Sequence, residues 1–237
     1  MPLALTTGPS IFTKHIHEML EKYFGWNYVY VTHDDTANLD YWAERADIYF
    51  GGGGRDIFPA TYGSPLLKCE NMDNFDRKRD IREIYLMNKF IELGKPIAGV
   101  CRNFQLYCSH FLKLTLTDIN YGGSTVCHSP SGAGIKLEDD EAEFCHYVEV
   151  DHEDYFVNSA HHMGILRPLT RELHHLPNGV EIVGTALLGE DLKLPKIIEW
   201  IKNENHRANF VQWHPEAIYK TNALSQRFLE EVKQMVA

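Results

Sequence analysis

Hydrophobic and polar positions follow two different rhythms along this chain, and each change of rhythm marks an element. Short apolar runs predict strands at 3–7 and 28–32. Between them, residues 11–24 carry Ile16, Met19, Leu20 and Tyr23 at spacings of three and four, which places them on one face of a helix. A second, shorter helix is predicted over 40–45. The strand at 46–50 ends in four glycines, and 76–93, which opens among acidic residues suited to a helix N-terminus, is the longest predicted helix. Residues 96–100 form an apolar strand running into Cys101, after which 102–112 is helical in composition again. From about residue 121 to 202 the rhythm changes: strands at 147–150, 181–187 and 197–202 are joined by polar turns, and helices are scarce. A core strand at 209–213 and an amphipathic helix at 225–236, with Phe228, Leu229, Val232 and Met235 inward, close the chain. Strands alternating with helices predict one α/β domain over 1–237. Its central sheet should be largely parallel, with helices on both faces and the active site at the carboxyl ends of the strands.

Composition changes the functional picture more than the structural one. With 237 residues and 44% hydrophobic content the chain can bury a full core. Its 33 acidic against 23 basic residues give a formal net charge of -10, which repels a phosphate backbone and argues against nucleic acid or a membrane surface as partner. A small polar ligand suits it better. No apolar stretch approaches the roughly 20 residues of a spanning helix, and residues 1–8 lack a basic, apolar leader pattern, so the chain reads as soluble and cytoplasmic. The acidic run 138–143 lacks the spacing of a calcium loop and reads as a solvated turn. Five cysteines (Cys69, Cys101, Cys108, Cys127, Cys145), an odd number without close pairing, are expected to be free thiols. His128, His146, His161, His162, His174 and His175, with Cys145, match no recognised zinc spacing, so neither a metal nor an organic cofactor is expected.

Three segments carry candidate chemistry. In Pro96-Ile-Ala-Gly-Val-Cys-Arg-Asn-Phe-Gln105 an apolar strand breaks at a cysteine and a helix starts at once. Such an elbow lifts the sulfur out of the sheet beside helix N-terminal amides that favour a thiolate. A buried structural cysteine is the competing reading of this segment alone. In Phe210-Val-Gln-Trp-His-Pro-Glu216 a strand ends at a histidine with a carboxylate two positions on. A thiol at neutral pH needs a base to take its proton and return it to the leaving amine, and a carboxylate on the other ring nitrogen fixes the tautomer. In Tyr49-Phe-Gly-Gly-Gly-Gly-Arg-Asp-Ile-Phe-Pro59 four glycines leave backbone N–H groups open to a ligand, as an oxyanion hole requires; a phosphate loop or a plain flexible loop are the rivals.

Together these segments resemble the class I glutamine amidotransferase family, and within it the gamma-glutamyl-gamma-aminobutyrate hydrolase-like branch grouped with the C26 peptidases. Gly99-Val-Cys-Arg-Asn-Phe-Gln105 is similar to the family's Gly-x-Cys-x-Gly-x-Gln elbow, and Val211-Gln-Trp-His-Pro-Glu216 to its His-Pro-Glu ending. Tyr155-Phe-Val-Asn-Ser-Ala-His-His-Met163 resembles its Val-Asn-Ser-x-His segment, and the glycine loop through Gly63 resembles its counterpart. The resemblance implies a flavodoxin-like fold with Cys101 as nucleophile, His214 as general acid and base, and Glu216 as orienting carboxylate. It implies oxyanion amides from Arg102 and from Gly52 or Gly53. Gln105, Asn158, Ser159, His161 and His162 are implied as substrate-binding residues. The reaction implied is hydrolysis of a gamma-glutamyl amide through a thioester. The alternatives are a glutaminase subunit feeding ammonia to a separate synthetase chain and a catalytically silent ligand-binding or scaffold protein. Asn103 stands where the family has glycine, and Met163 where the branch often has glutamine.

Overall fold

In the computed structural model, residues 1–8, 13–32, 37–63, 75–119, 145–167, 175–176, 179–187 and 196–237 are described. Cys69, Cys127, His128, His174 and the acidic run 138–143 lie outside them. The strands are β1 (Leu3–Thr7), β2 (Asn27–Val31), β3 (Ile48–Gly51), β4 (Ile97–Val100), β5 (Leu116–Asp118), β6 (Cys145–Val150), β7 (Glu153–Asn158), β8 (Met163–Leu166), β9 (His175–Leu176), β10 (Val180–Leu187), β11 (Lys196–Asn203) and β12 (Ala208–Val211). The helices are α1 (Thr13–Met19), α2 (Leu39–Arg45), α3 (Arg77–Glu92), α4 (Arg102–Leu106), α5 (Pro215–Ile218) and α6 (Ala223–Val236). Two of them continue into π-helical turns, α1 over Leu20–Phe24 and α4 over Tyr107–Phe111.

One sheet runs through the molecule in the order β2-β1-β3-β4-β12-β11-β10-β6-β7. The run from β2 to β12 is parallel, and from β12 onward each neighbour is antiparallel. β8 pairs with β11 and carries β5 on its other side, while β9 pairs with β10. The α/β domain expected from the alternation is therefore present, with the parallel run as the part that bears the elbow.

Strand side chains alternate across the sheet, and in β3 and β4 both faces are buried, so these two read as unbroken apolar runs. Leu5, Tyr49, Ile97 and Phe210 face one core with Leu86, Met87 and Phe90 of α3 and Phe104 of α4. Their neighbours Ala4, Ile48, Phe50, Ala98 and Val211 face the other, against Ile16 and Met19 of α1 and Phe228, Leu229 and Val232 of α6. Local chemistry sets the helix ends. Asp76 caps α3 by accepting from the Arg79 amide at 3.0 Å, Asn222 caps α6 through the Ser225 amide at 2.8 Å, and Gly25 ends the first helical segment at φ 68°. No described helix is long and apolar enough to cross a membrane.

Candidate active site

The carboxyl ends of β3, β4 and β12 meet at one edge of the sheet. Directly after β4, Cys101 adopts φ 51° and ψ -112°, a backbone state L-residues rarely occupy, and α4 begins at the next residue. The turn is held at both ends: the Cys101 amide donates to the Val211 carbonyl at 2.8 Å, and the Cys101 carbonyl accepts from the Gln105 amide at 3.1 Å. Strain of this kind costs roughly 1–3 kcal/mol and persists only where its surroundings over-determine it.

His214 sits just past β12, at the start of α5, fully buried. Its Nδ1 donates to Glu216 Oε1 at 2.8 Å, and its ring and the Cys101 side chain border the same space at Gly53. Burial works against a charged ring. Glu216 and Cys101 outweigh it, and push the His214 pKa up to about 10. The cysteine, imidazole and carboxylate named from the sequence therefore lie in one neighbourhood.

Gly53 closes the site from above. A Cβ at this position would lie 2.7 Å from His214 Cε1 and 3.4 Å from Cys101 Cβ, so only glycine leaves that space open. Gly52 turns elsewhere: a Cβ there would meet Ile16 Cδ1 at 2.7 Å. The carbonyls of both glycines accept from Arg79 Nη2, at 3.1 and 2.9 Å. A peptide is planar and its C=O and N–H point opposite ways, so fixing the two carbonyls also aims the amides of Gly53 and Gly54 away from Arg79.

Arg79 belongs to a buried cluster that sequence inspection overlooked. Glu83 Oε1 accepts from Arg79 Nε at 2.7 Å and from Thr7 Oγ1 at 2.7 Å. Arg102, the residue after the elbow cysteine, donates to Glu83 and to Asp80. Asp80 also accepts from the Phe58 amide and the Thr61 hydroxyl, both at 2.9 Å. Burial opposes the Glu83 charge, but Arg102 and Arg79 prevail and hold its carboxyl below the usual range. The signal was present: Arg79, Glu83, Leu86 and Phe90 share one helical stripe at spacings of four, three and four, so the charged pair lies on the core face of α3.

The remaining sequence candidates divide. Both ends of the Asn158 amide engage the His214 backbone, Oδ1 accepting from its N–H at 3.0 Å and Nδ2 donating to its carbonyl at 3.1 Å. Gln105 Nε2 donates to the Met163 carbonyl at 3.0 Å and to Gln212 Oε1 at 3.2 Å. Ser159 is fully buried. His161 turns towards Glu199, whereas His162 is partly exposed between Asp56, at 3.1 Å, and Asp118, at 3.4 Å. The hydrogen bond that His162 donates to Asp56, working against partial burial, raises the His162 pKa. Cys108 is buried beneath the elbow, and burial alone pushes its thiol pKa well up.

The Asn103 side chain lies against the sheet, donating to the Tyr49 hydroxyl at 3.2 Å. It occupies the space that glycine leaves at Gly51, where a Cβ would fall 2.0 Å from Asn103 Cγ, and at Gly99, where a Cβ would fall 2.9 Å from Asn103 Cβ. Gly51→Ala is therefore expected to destabilise by about 3 kcal/mol, the upper end of overpacking costs. Adding Asn103→Gly should recover most of that loss. Urea unfolding of the two single variants and the double variant measures the coupling, and strictly additive losses would refute the overlap.

The fold is that of the class I glutamine amidotransferases. It is shared by a glutamine amidotransferase from Thermotoga maritima, with a TM-score of 0.55 and 13% identity over 98% of this chain and 82% of that one. It is also shared by the glutaminase domain of Trypanosoma brucei CTPS with bound acivicin, with a TM-score of 0.58 and 11% identity over 99% of this chain and 94% of that one. Residues 5–216 match the family model of peptidase C26, and the chain belongs to that family. It is 27% identical to the glutamine amidotransferase-like protein YvdE of Lactococcus lactis subsp. lactis (strain IL1403) over 206 residues, 83% of this chain and 77% of YvdE.

Proposed function

We propose that the protein hydrolyses a gamma-glutamyl amide, either glutamine or a gamma-glutamyl amine, through a thioester on Cys101. The observation that carries this reading is the strained Cys101 backbone at the end of β4 beside a His214 ring that is itself bonded to Glu216. The Cys101 thiolate attacks the carboxamide carbon while His214 holds the proton. Developing charge on the oxygen is met by the Gly53 and Arg102 amides. Collapse of the tetrahedral species expels ammonia or amine, which takes the proton from Nε2. A water then gives a proton to His214 and attacks the thioester, releasing glutamate and restoring the thiol. Gln105, Ser159 and His162 are the candidates for recognising the glutamyl group, with Asn158 acting through the His214 backbone. No metal or organic cofactor takes part in these steps.

A second reading has the ammonia passed to a separate synthetase chain. It draws support from the likeness to the CTPS glutaminase domain. Incubation of the purified protein with L-glutamine and a panel of gamma-glutamyl amines separates the two. Unaided multiple turnover supports hydrolysis, whereas turnover that appears only with a synthetase supports ammonia transfer. Mass spectrometry with acivicin should show a Cys101 adduct; an unmodified Cys101 would favour a silent binding protein.

Amide cleavage needs a protonated His214 for the leaving group. A raised pKa keeps that form populated at neutral pH and loses it as pH climbs through about 10. The alkaline limb of kcat/KM should therefore fall near pH 10 in the wild type. In Glu216→Gln, which loses the largest opposing charge, the limb should move to lower pH. An unmoved limb would mean that Glu216 does not support the imidazolium.

A further inference from the structure

Behind Gln105 lies a second group of ionisable side chains sealed from solvent. His146 on β6, His161 in the turn before β8 and Glu199 in the middle of β11 are 5%, 4% and 0% exposed, and one donor atom from each lies within 4.8 Å of the other two. The thioester steps use none of them.

Their spacing is wider than a shared proton requires. A charge-assisted hydrogen bond between imidazole and carboxylate draws the heavy atoms to about 2.7–2.9 Å. Here His146 Nε2 stands 3.3 Å and His161 Nε2 3.8 Å from the same oxygen, Glu199 Oε1. Donor atoms bound at about 2.0–2.1 Å around a tetrahedral zinc ion are about 3.3 Å apart.

Proton placement supports the same conclusion. His161 Nδ1 lies 3.0 Å from the Met163 carbonyl, which can only accept, so Nδ1 carries a hydrogen and Nε2, turned towards Glu199, is the nitrogen left to bind an ion. A carbonyl on the far nitrogen is the usual partner of a metal-binding imidazole. Among the described residues neither Glu199 oxygen accepts a hydrogen bond. A buried carboxylate without donors demands a positive charge nearby.

From this geometry we propose that His146, His161 and Glu199 bind a divalent ion of the zinc class, with a fourth position left for water. Two imidazole nitrogens and one carboxylate oxygen form a borderline donor set that suits zinc and its neighbours, whereas calcium and magnesium prefer oxygen alone. The ion ties β6, the turn before β8 and β11 together. It thereby steadies the Met163 carbonyl, which accepts from both His161 and Gln105. The sequence conceals this because the three residues come from separate segments, two strands and a turn, and Glu199 sits inside the apolar run Ile197-Ile-Glu-Trp-Ile201.

The test strips the full-length protein with chelator and titrates it with Co²⁺ and with Zn²⁺. One equivalent of Co²⁺ should bind with the visible bands of a tetrahedral nitrogen and oxygen site, and Zn²⁺ should raise the melting temperature. A thiolate-to-cobalt charge-transfer band would instead place the ion on Cys101. His146→Gln and Glu199→Gln should each lose the equivalent, whereas His152→Gln, at an exposed position, should keep it. Acivicin labelling of Cys101 reports whether the variants are folded. No stoichiometric uptake by the wild type, a thiolate band, or undiminished uptake by His146→Gln overturns the proposal in favour of a shared proton; the wild-type titration decides alone if the variants do not fold.

Discussion

Replacing Cys101 by alanine is expected to lower kcat for amide hydrolysis by a factor on the order of 10⁶, and His214→Asn by a similar factor; the double variant should lose little more, since the two act as one unit. The expectation follows from the position of the His214 ring beside Cys101 and from the Glu216 contact that orients it. Ammonia release from glutamine measures it. A Cys101→Ala protein retaining a hundredth of wild-type turnover would end the thioester mechanism. The strain at Cys101 adds an independent signature. At φ 51° and ψ -112° glycine carries far less steric penalty than alanine, so Cys101→Gly should be as inactive as Cys101→Ala yet more stable by about 1 kcal/mol or more. Equal stability of the two would show that the elbow relaxes once the sulfur is gone.

The second large effect belongs to Arg79. Its guanidinium holds the carbonyls of Gly52 and Gly53, and so the direction of the Gly53 amide proposed as an oxyanion donor. Arg79→Met should lower kcat by about 10²–10³, the usual loss when an oxyanion donor is misplaced, with little change in KM. Alkylation of Cys101 by a neutral reagent should proceed at the wild-type rate, because no oxyanion forms there. The same change leaves Glu83 with one cation fewer in a buried site, which costs several kcal/mol of stability. Arg79→Lys, able to reach one carbonyl at a time, should restore part of kcat. A variant whose KM rises while kcat holds would indicate that Arg79 shapes substrate binding instead.

Much of this was legible in the sequence, for identifiable reasons. The elbow announces itself because an apolar strand, a cysteine and a helix follow without a linker, and His214 and Glu216 are close enough in sequence to share one turn. The central parallel strands were readable because both faces are buried, which leaves runs such as 48–51 and 97–100 uninterrupted. The antiparallel wing was harder. The pattern does not mark β5, β7, β8 and β9: three are only two to four residues long, and β7 begins Glu-Asp with an exposed half. The predicted helix at 102–112 changes to a π-helical turn at Tyr107, a change that periodicity does not register. Residues 11 and 12 of the first predicted helix lie outside the described residues. Asn103 departs from the family pattern at its own position, yet what accommodates it is Gly51 and Gly99, two strand residues visible only once β3 and β4 stand side by side.

α3 supplies Arg79, Asp80 and Glu83, and these reach the glycine loop, the 58–61 turn and the residue after the elbow. During refolding, then, the reactive centre cannot mature ahead of this helix. Enzymatic competence should return in step with hydrogen-exchange protection of α3 amides, leaving no half-assembled intermediate with a fraction of the activity.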